Sequence, residues 1–462
     1  MKTAIVIGSG LGGLEVALIL LRHGYEVTVL EKGRQAGGCL QSFVRDGRRF
    51  DTGFHYVGGL GEGEPLRPLF AYFGLMDLPW EPTTEEILIG DKRFRIPRGI
   101  DAYVEMLSEQ FPTEKNAIQT YGNLLREVGD HIFDAFEKGP SPLMGVSAAQ
   151  YIENNFRDPL LRQVLSGSTM RLHQDANTLP LYALAQIGGS FIRSAWRLPG
   201  GGKAITERLT AQIEALGGVI RTGAAVTGLR LADGKVSEVL VGESETLRPD
   251  LVVSDAHPAV TMALLRDSGV IKRIYRERIA SLENSPGLFT ANILLKDNIF
   301  PLPEGELHIH QEDADLWHPD PRRTDSVLVH PYPEGGMLDL LSPMPLPERG
   351  EGYEALKRAK LEQCLDLAEK GIPGLRNAIA KVYTSTPRTW HDYTGVPGGS
   401  AFGILKDWKS PLTTLLSPRT TAGNLYLTGG SLNLHGMLGV SMTALITAAD
   451  ILGRQIYLEI ER

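Results

Sequence analysis

The stretch TAIVIGSGLGGLEVALILLRHGYEVTVLEK, Thr3–Lys32, decides the fold of this chain. Thr3–Ile7 is a short apolar run of the kind that forms a buried parallel strand. Gly8, Gly10 and Gly13 follow at once in GSGLGG, and LEVALILLRHG then reads as a helix ending at Gly24. A second run, Glu26–Leu30, closes on Glu31. A glycine-rich turn between strand and helix, completed by a second strand that ends in an acid, is the βαβ context that gives GxGxxG its meaning. Gly8 permits the tight turn, Gly10 lets the backbone approach a pyrophosphate, and Gly13 allows helix and strand to pack closely. The helix N-terminus offers amide donors and the positive end of its dipole to phosphate. Glu31 is placed to accept hydrogen bonds from the hydroxyls of an adenosine ribose. The stretch predicts a Rossmann-type dinucleotide site.

Both NAD and FAD use this fingerprint, and the next residues choose between them. Gly37 and Gly38 follow Glu31 closely in EKGRQAGGCLQSF. A second glycine pair just after the ribose-binding acid is a recurrent FAD feature, because the backbone there passes near the pyrophosphate and the flavin. Arg34 and Ser42 in this loop read either as solvated residues or as polar groups within reach of the cofactor. No second GxGxxG in a βαβ context exists, since the runs at Gly58–Gly63 and Gly200–Gly202 lack the spacing. A nicotinamide domain is therefore not expected. A reductive reaction would draw electrons from a donor partner or from transiently docked NAD(P)H.

Further along, LPGGG at Leu198–Gly202 precedes a helix over Ala204–Leu216 and strands over Val219–Thr222 and Val226–Leu231. The turn Asp233–Gly234 makes a hairpin to Val236–Val241, and Leu251–Ser254 is another apolar strand. Leu425–Thr428 runs into Gly429–Gly430, and a helix follows over Leu438–Leu452, again a strand, a glycine turn and a helix N-terminus. Between these lie helices over Ala102–Gln110, Ala117–Gly139, Ser147–Asn155, Asp158–Ser166 and Tyr353–Lys370. Strands are expected over Leu288–Lys296, Glu306–His310, Ser326–His330 and Met337–Leu341, mainly antiparallel. The pattern divides the chain into a cofactor domain in three pieces, 1–70, 191–260 and 415–462. The helical part, 71–190, and the sheet part, 261–414, of a substrate domain fill the gaps.

Composition narrows the function. The 462 residues carry a net charge of −8, which argues against nucleic acid as a partner. The 52 glycines cluster at turns rather than in a period. Cys39 and Cys364 are the two cysteines, with no CxxC, so a disulfide framework is excluded, the pattern argues against a disulfide-relay flavoenzyme, and a reducing, cytoplasmic setting is expected. The longest apolar candidate for a membrane span, Met437–Ala449, is broken by Gly439, Ser441 and Thr443. Apolar faces at Pro65–Pro79 and Pro180–Trp196 read first as core, and second as a peripheral membrane contact.

Several segments together are more specific than the fold. GGCLQSF at Gly37–Phe43, FDTGFHYVGG at Phe50–Gly59 and NLYLTGGSLNLHGMLGVSM at Asn424–Met442 resemble the retinol saturase and carotenoid isomerase branch of the phytoene desaturase family, within the FAD-dependent amine oxidase superfamily. FPTEKNAI at Phe111–Ile118, LPGGGKAI and TPRTWHDYTGVPGGSAFGI at Thr386–Ile404 support it. The likeness departs at Gly430–Ser431, where the saturases usually carry a Gln or Asp pair. The resemblance implies an α/β fold, with a glutathione-reductase-like FAD domain and an interleaved α+β substrate domain enclosing a long apolar tunnel. It also implies FAD contacts from Gly8, Gly10, Leu11, Gly12, Gly13, Glu31, Lys32, Gly37, Gly38, Val226 through its backbone, Gly429, Gly430 and Leu438. The substrate it implies is an apolar polyene or lipid, saturated, isomerised or desaturated at carbon–carbon double bonds. A flavin amine oxidase, or an FAD-containing lipid carrier without turnover, are the alternatives.

Redox chemistry on such a substrate needs a proton donor or acceptor beside the flavin. His55, Tyr56, His435 and His391 are the candidates, because each adjoins a glycine-rich or flavin-facing segment, and His55 stands first because FDTGFHYVGG follows directly from the flavin-binding loop. His308 and His310 share one face of a strand, but no third ligand is evident and a metal is not expected. Cys39 reads as a packed thiol, with a covalent flavin link as the other reading.

Overall fold

A computed structural model of the chain describes residues 1–168, 171–173, 175–265, 272–320 and 323–460. The elements that build the site begin with β1 (Lys2–Ile7), α1 (Leu11–Arg22), β2 (Tyr25–Leu30), β3 (Ser42–Arg45), β4 (Arg48–Asp51), β5 (Glu85–Ile89) and β6 (Lys92–Ile96). Next come α2 (Leu181–Arg193), α3 (Gly201–Ala215), β7 (Val219–Arg221), β8 (Val226–Ala232), β9 (Lys235–Val241), β10 (Leu251–Ser254), β11 (Gly287–Leu295) and β12 (Glu306–His310). The rest are β13 (Ser326–Pro331), β14 (Met337–Met344), α4 (Tyr353–Gly371), β15 (Ile379–Ser385), β16 (Leu425–Leu427) and α5 (Gly436–Leu452).

Strands drawn from far apart in the chain make a five-stranded sheet in the order β7-β2-β1-β10-β16. Every pairing in it is parallel. β1 and β10 are apolar without alternation because both faces of the sheet are covered. Val6 packs with Leu14 and Leu18 of α1 and Leu445 of α5 on one side. Ile5, Ile7 and Val252 turn to the other, toward Leu229 and Val239 of the β8–β9 hairpin. The sheet is the α/β unit that GSGLGG predicts.

The second sheet has seven strands in the order β15-β11-β14-β13-β12-β5-β6. Its pairings are antiparallel except β12 with β5, which is parallel. The β5–β6 hairpin, EEILIGDKRFRI, arises within the stretch expected to be helical, turning at Gly90 with φ 60°. One face of the sheet is apolar: Phe289, Ile293, Leu307, Ile309, Val329, Leu338 and Leu340 pack on Cys364, Leu365 and Ala368 of α4. The alternate positions are polar. Asn292 pairs with Asp339, Asp339 with His330, and Glu306 with Glu85, so a polar row crosses the sheet strand by strand. All of these residues are buried.

Helices over Ile100–Gln110, Lys115–Asp130, Ala148–Asn155 and Pro159–Ser166 join α2 around one core that also takes Ile87 and Phe94 of the hairpin. The helix expected to reach Gly139 ends at Asp130, and short turns follow it. The two apolar stretches in question are core. Leu66, Leu69, Phe70 and Phe73 are buried in the first, and Leu181, Leu184 and Ile192 in the second. No described helix is long and apolar enough to cross a membrane.

Candidate active site

Three separate stretches of chain meet at the C-terminal edge of the parallel sheet, where open α/β sheets take their ligands. Gly8 turns the chain out of β1 at φ 97°, and its N–H donates to the Leu30 carbonyl at 2.8 Å. The Gly37 N–H donates to the Ser9 carbonyl at 3.0 Å, and a Cβ on Gly38 would stand 3.1 Å from Gly10 Cα. The second glycine pair thus lies directly on the first. A Cβ on Gly12 would stand 3.1 Å from Gly429 Cα, so the C-terminal glycine turn closes on the same spot. Leu438 is buried in the first turns of α5, in the core shared with α1. The Glu31 carbonyl accepts from Ala224 N at 2.8 Å, which sets Val226 beside Glu31 at the start of β8. Leu11 is buried at the start of α1, whereas Lys32 is exposed at the rim.

Glu31 is buried, and its carboxylate already serves the chain. Oε2 accepts from Ser9 N at 3.1 Å and Ser9 Oγ at 2.7 Å, and Oε1 accepts from Gly33 N at 2.7 Å. A carboxylate has about four lone-pair positions, so these bonds leave one for a ribose hydroxyl.

The sequence reading missed Asp255, the first residue after β10. Its carboxylate accepts from the N–H groups of Gly10 and Gly13. A Cβ on Gly10, Gly12 or Gly429 would run into its oxygens. Burial, then the Glu31 charge, pushes Asp255 up to about 7. Behind it, burial holds Glu15 of α1 well above the usual carboxylate range; its Oε1 accepts from Ser441 Oγ at 2.7 Å. Space at Gly10, first assigned to an approaching pyrophosphate, is in this state shared with Asp255. The signal was an acid directly after a buried strand at the ligand edge of the sheet. The glycine cradle, the α1 amides and the open Glu31 lone pair fit the adenosine diphosphate portion of FAD.

Two of the proton-handling candidates, His55 and Tyr56, lie against the polar face of the seven-stranded sheet. His55 stacks on His330 with ring centroids 4.8 Å apart and donates from Nδ1 to the Phe54 carbonyl at 2.8 Å. The Tyr56 hydroxyl is 3.2 Å from His308 Nε2 and receives the Arg171 Nε–H at 3.1 Å. His308 Nε2 is 2.9 Å from Glu85 Oε1, which also pairs with the Arg171 guanidinium. His435 stands apart from this face but joins it through Arg171, donating from Nε2 to that residue's carbonyl at 2.8 Å. Arg171 therefore links Tyr56 to His435, and it too was missed. Tyr332 completes the face, donating to Asp339 Oδ2 at 2.8 Å and accepting from Asp51 N at 2.9 Å.

Burial keeps the histidines, Glu306, Asp339 and Tyr56 of this region neutral beside the Arg171–Glu85 ion pair. It lowers His55 and His330 to about 3 and His435 to about 4. It raises Glu306 and Asp339 to about 8 and Tyr56 to about 12, the Arg171 charge opposing the shift at Tyr56. His310 has both ring nitrogens engaged, by Ser326 Oγ at 2.7 Å and the Gly167 carbonyl at 2.6 Å. Three-residue metal clusters are absent among the described residues. His391 is partly exposed, beside Asp392. Cys39 is exposed as a residue, yet burial around its thiol, then the Asp255 charge, pushes that thiol up to about 11, which keeps it protonated. Two small spaces flank the Arg171–His435 link. One of about 20 Å³ is lined by Glu85, Tyr103 and Arg171, and one of about 30 Å³ by Ile187, Phe402 and His435. Among the described residues, these two spaces are far smaller than the expected tunnel.

Residues 11–452 match the family of flavin containing amine oxidoreductases. All-trans-retinol 13,14-reductase of Danio rerio is 27% identical, the alignment covering 99% of this chain and 87% of that protein. The neurosporene-forming phytoene desaturase of Cereibacter sphaeroides is 26% identical over 87% of this chain and 85% of its own. A crystal structure of an oxidoreductase from Methanosarcina mazei has the same fold, with a TM-score of 0.68 and 18% identity over 98% of this chain and 100% of that one. With a family match across nearly its whole length and a cradle shaped for the dinucleotide, the chain belongs to the flavin containing amine oxidoreductases and is an FAD-dependent oxidoreductase.

Proposed function

We propose that the chain acts on carbon–carbon double bonds of a conjugated apolar substrate, a retinoid- or carotenoid-like polyene, as a saturase, isomerase or desaturase. The observation that carries this reading is the likeness to all-trans-retinol 13,14-reductase along 99% of the chain. The character of the site supports it. A polyene brings no charge, and the histidines facing the site are held neutral by burial.

Gly8, Gly10, Leu11, Gly12, Gly13, Gly37, Gly38, Gly429 and Gly430 hold the FAD pyrophosphate and flavin, Glu31 takes the ribose, and the Val226 backbone meets the adenine. Lys32 contributes from the rim and Leu438 from α5. When bound, FAD supplies two-electron chemistry, and the protein supplies position, dryness and a proton. Tyr56 is the proton-bearing group: its hydroxyl keeps its proton at neutral pH, and Arg171 Nε–H stabilises the oxygen once that proton has left. His55 and His435 orient the pocket from either side. The spaces beside Arg171 widen to admit an apolar chain, burying roughly 0.8 kcal/mol per methylene. Electrons for a saturation arrive from a donor partner or docked NAD(P)H.

Chemically reduced protein mixed anaerobically with retinoids, carotenoids and polyunsaturated lipids tests this, with products read by mass and isomer composition. The expected result is a polyene changed by two hydrogens or in double-bond geometry. No altered polyene, together with rapid reduction of the oxidised protein by a primary or secondary amine, would replace this reading with an amine oxidase.

A further inference from the structure

The N-terminus of α1, where a phosphate would be met, already holds an acid of this chain. Asp255 turns its carboxylate onto the N–H groups of Gly10 and Gly13. The glycines at 10, 12 and 429 are fitted around it, since a Cβ on any of them would press on a carboxylate oxygen. Two further acids face the same junction. Glu31 of β2 is fastened by Ser9 and Gly33. Glu15 of α1 is fully enclosed, and its Oε2 has no partner among the described residues. The Cys39 thiol stands near as well. Amides of Gly10 and Gly13, rather than a lysine or arginine, stabilise the charge on Asp255.

A pyrophosphate brings two negative charges to this junction. Either it displaces the Asp255 carboxylate from the α1 amides or it lies beside it, and in both arrangements an ionised Asp255 opposes its entry. We propose that FAD binding is coupled to proton uptake at Asp255, which passes from carboxylate to carboxylic acid as the pyrophosphate arrives, so that affinity for FAD falls as pH rises. The inference rests on FAD as the cofactor and not on the class of substrate.

The sign follows from linkage. In the free chain Asp255 titrates at about 7, so well below that pH it already carries its proton and FAD adds none. Above it, each FAD bound draws a proton from solution, and the dissociation constant rises toward about tenfold per pH unit.

The test is equilibrium titration of the full chain, freed of flavin, with FAD from about pH 6 to about pH 9, read by flavin fluorescence. Calorimetry near pH 8 in two buffers of different ionisation heat counts the protons. The expected result is a level dissociation constant on the acid side, a rise above about pH 7, and uptake of about one proton near pH 8. Asp255→Asn keeps the shape and an acceptor for the glycine amides. It is expected to bind FAD with little pH dependence, and on the order of 10- to 100-fold more tightly than the unaltered chain near pH 9. A flat dissociation constant in the unaltered chain, release rather than uptake of protons, or the same slope persisting in Asp255→Asn would each overturn the proposal. Should the variant not fold, the proton count of the unaltered chain decides alone.

Discussion

Glu306 of β12 and His330 of β13 face each other inside the molecule, the imidazole Nδ1 lying 2.9 and 3.1 Å from the two carboxyl oxygens. In water such a pair would be an ion pair. Here burial raises Glu306 to about 8 and lowers His330 to about 3, so at neutral pH a carboxylic acid meets a neutral imidazole. The ordinary glutamate value is 4.5. Between those values the folded chain binds the extra proton. The stabilising contribution is fully present below the unfolded value and is lost as pH rises through about 8. Glu306→Gln cannot titrate, so its melting temperature should climb relative to the unaltered chain between about pH 6 and pH 9. A constant difference across that window would mean that Glu306 is ionised in the fold.

The histidines work in the opposite direction. His435 is lowered from an ordinary 6.5 to about 4, so the unfolded chain binds the extra proton and stability is lost as pH falls below 6.5. His435→Asn retains a donor for the Arg171 carbonyl and should recover on the order of 1 kcal/mol of this acid-side loss near pH 5. Thermal melts of both chains near pH 7.5 and near pH 5 measure it, and an equal drop in both would assign the loss to His55 and His330 instead.

Tyr56→Phe removes the hydroxyl between Arg171 and His308 but keeps the ring packed on Phe191, centroids 4.8 Å apart. Turnover of a polyene should fall by on the order of 10²- to 10⁴-fold, the usual worth of a positioned acid or base. Flavin absorbance per chain should stay unchanged. Undiminished turnover would move the proton to another group.

Glu31→Ala takes an acceptor from Ser9 N, Ser9 Oγ and Gly33 N at one stroke. Charge-assisted bonds of this kind are worth on the order of 1–3 kcal/mol, so FAD should bind more weakly by about that much while the fold persists. A dissociation constant equal to that of the unaltered chain would place the ribose elsewhere.

The parallel sheet could be read because its information is local. GSGLGG, the apolar runs on either side and Glu31 stand within thirty residues of one another. The β5–β6 hairpin was harder. Its alternation, Glu85, Ile87 and Ile89 against Glu86 and Leu88, is short, and its identity as sheet depends on pairing with β12, more than two hundred residues on. ELHIH at 306–310 shows the alternation of a sheet with one polar face, which usually meets water. Nothing local says that His55 and Tyr56 cover that face and enclose it away from water. Asp255 escaped notice for the same reason: its meaning comes from glycines at the far end of the chain and at 429.

That the cradle is closed by Gly429 has a consequence for synthesis. On a ribosome β1, α1 and β2 emerge first, while β16, which pairs with β10 to finish the parallel sheet, appears only after the seven-stranded sheet has been made. Domains generally consolidate as the chain is extended, but this one must wait, its glycine loop and buried acids without their last neighbour. Flavin capture then becomes a signal of completion. A nascent chain halted before Leu425 is expected to stay colourless however long it is held with FAD, and colour should develop only once the last strand has been released from the exit tunnel and has taken its place.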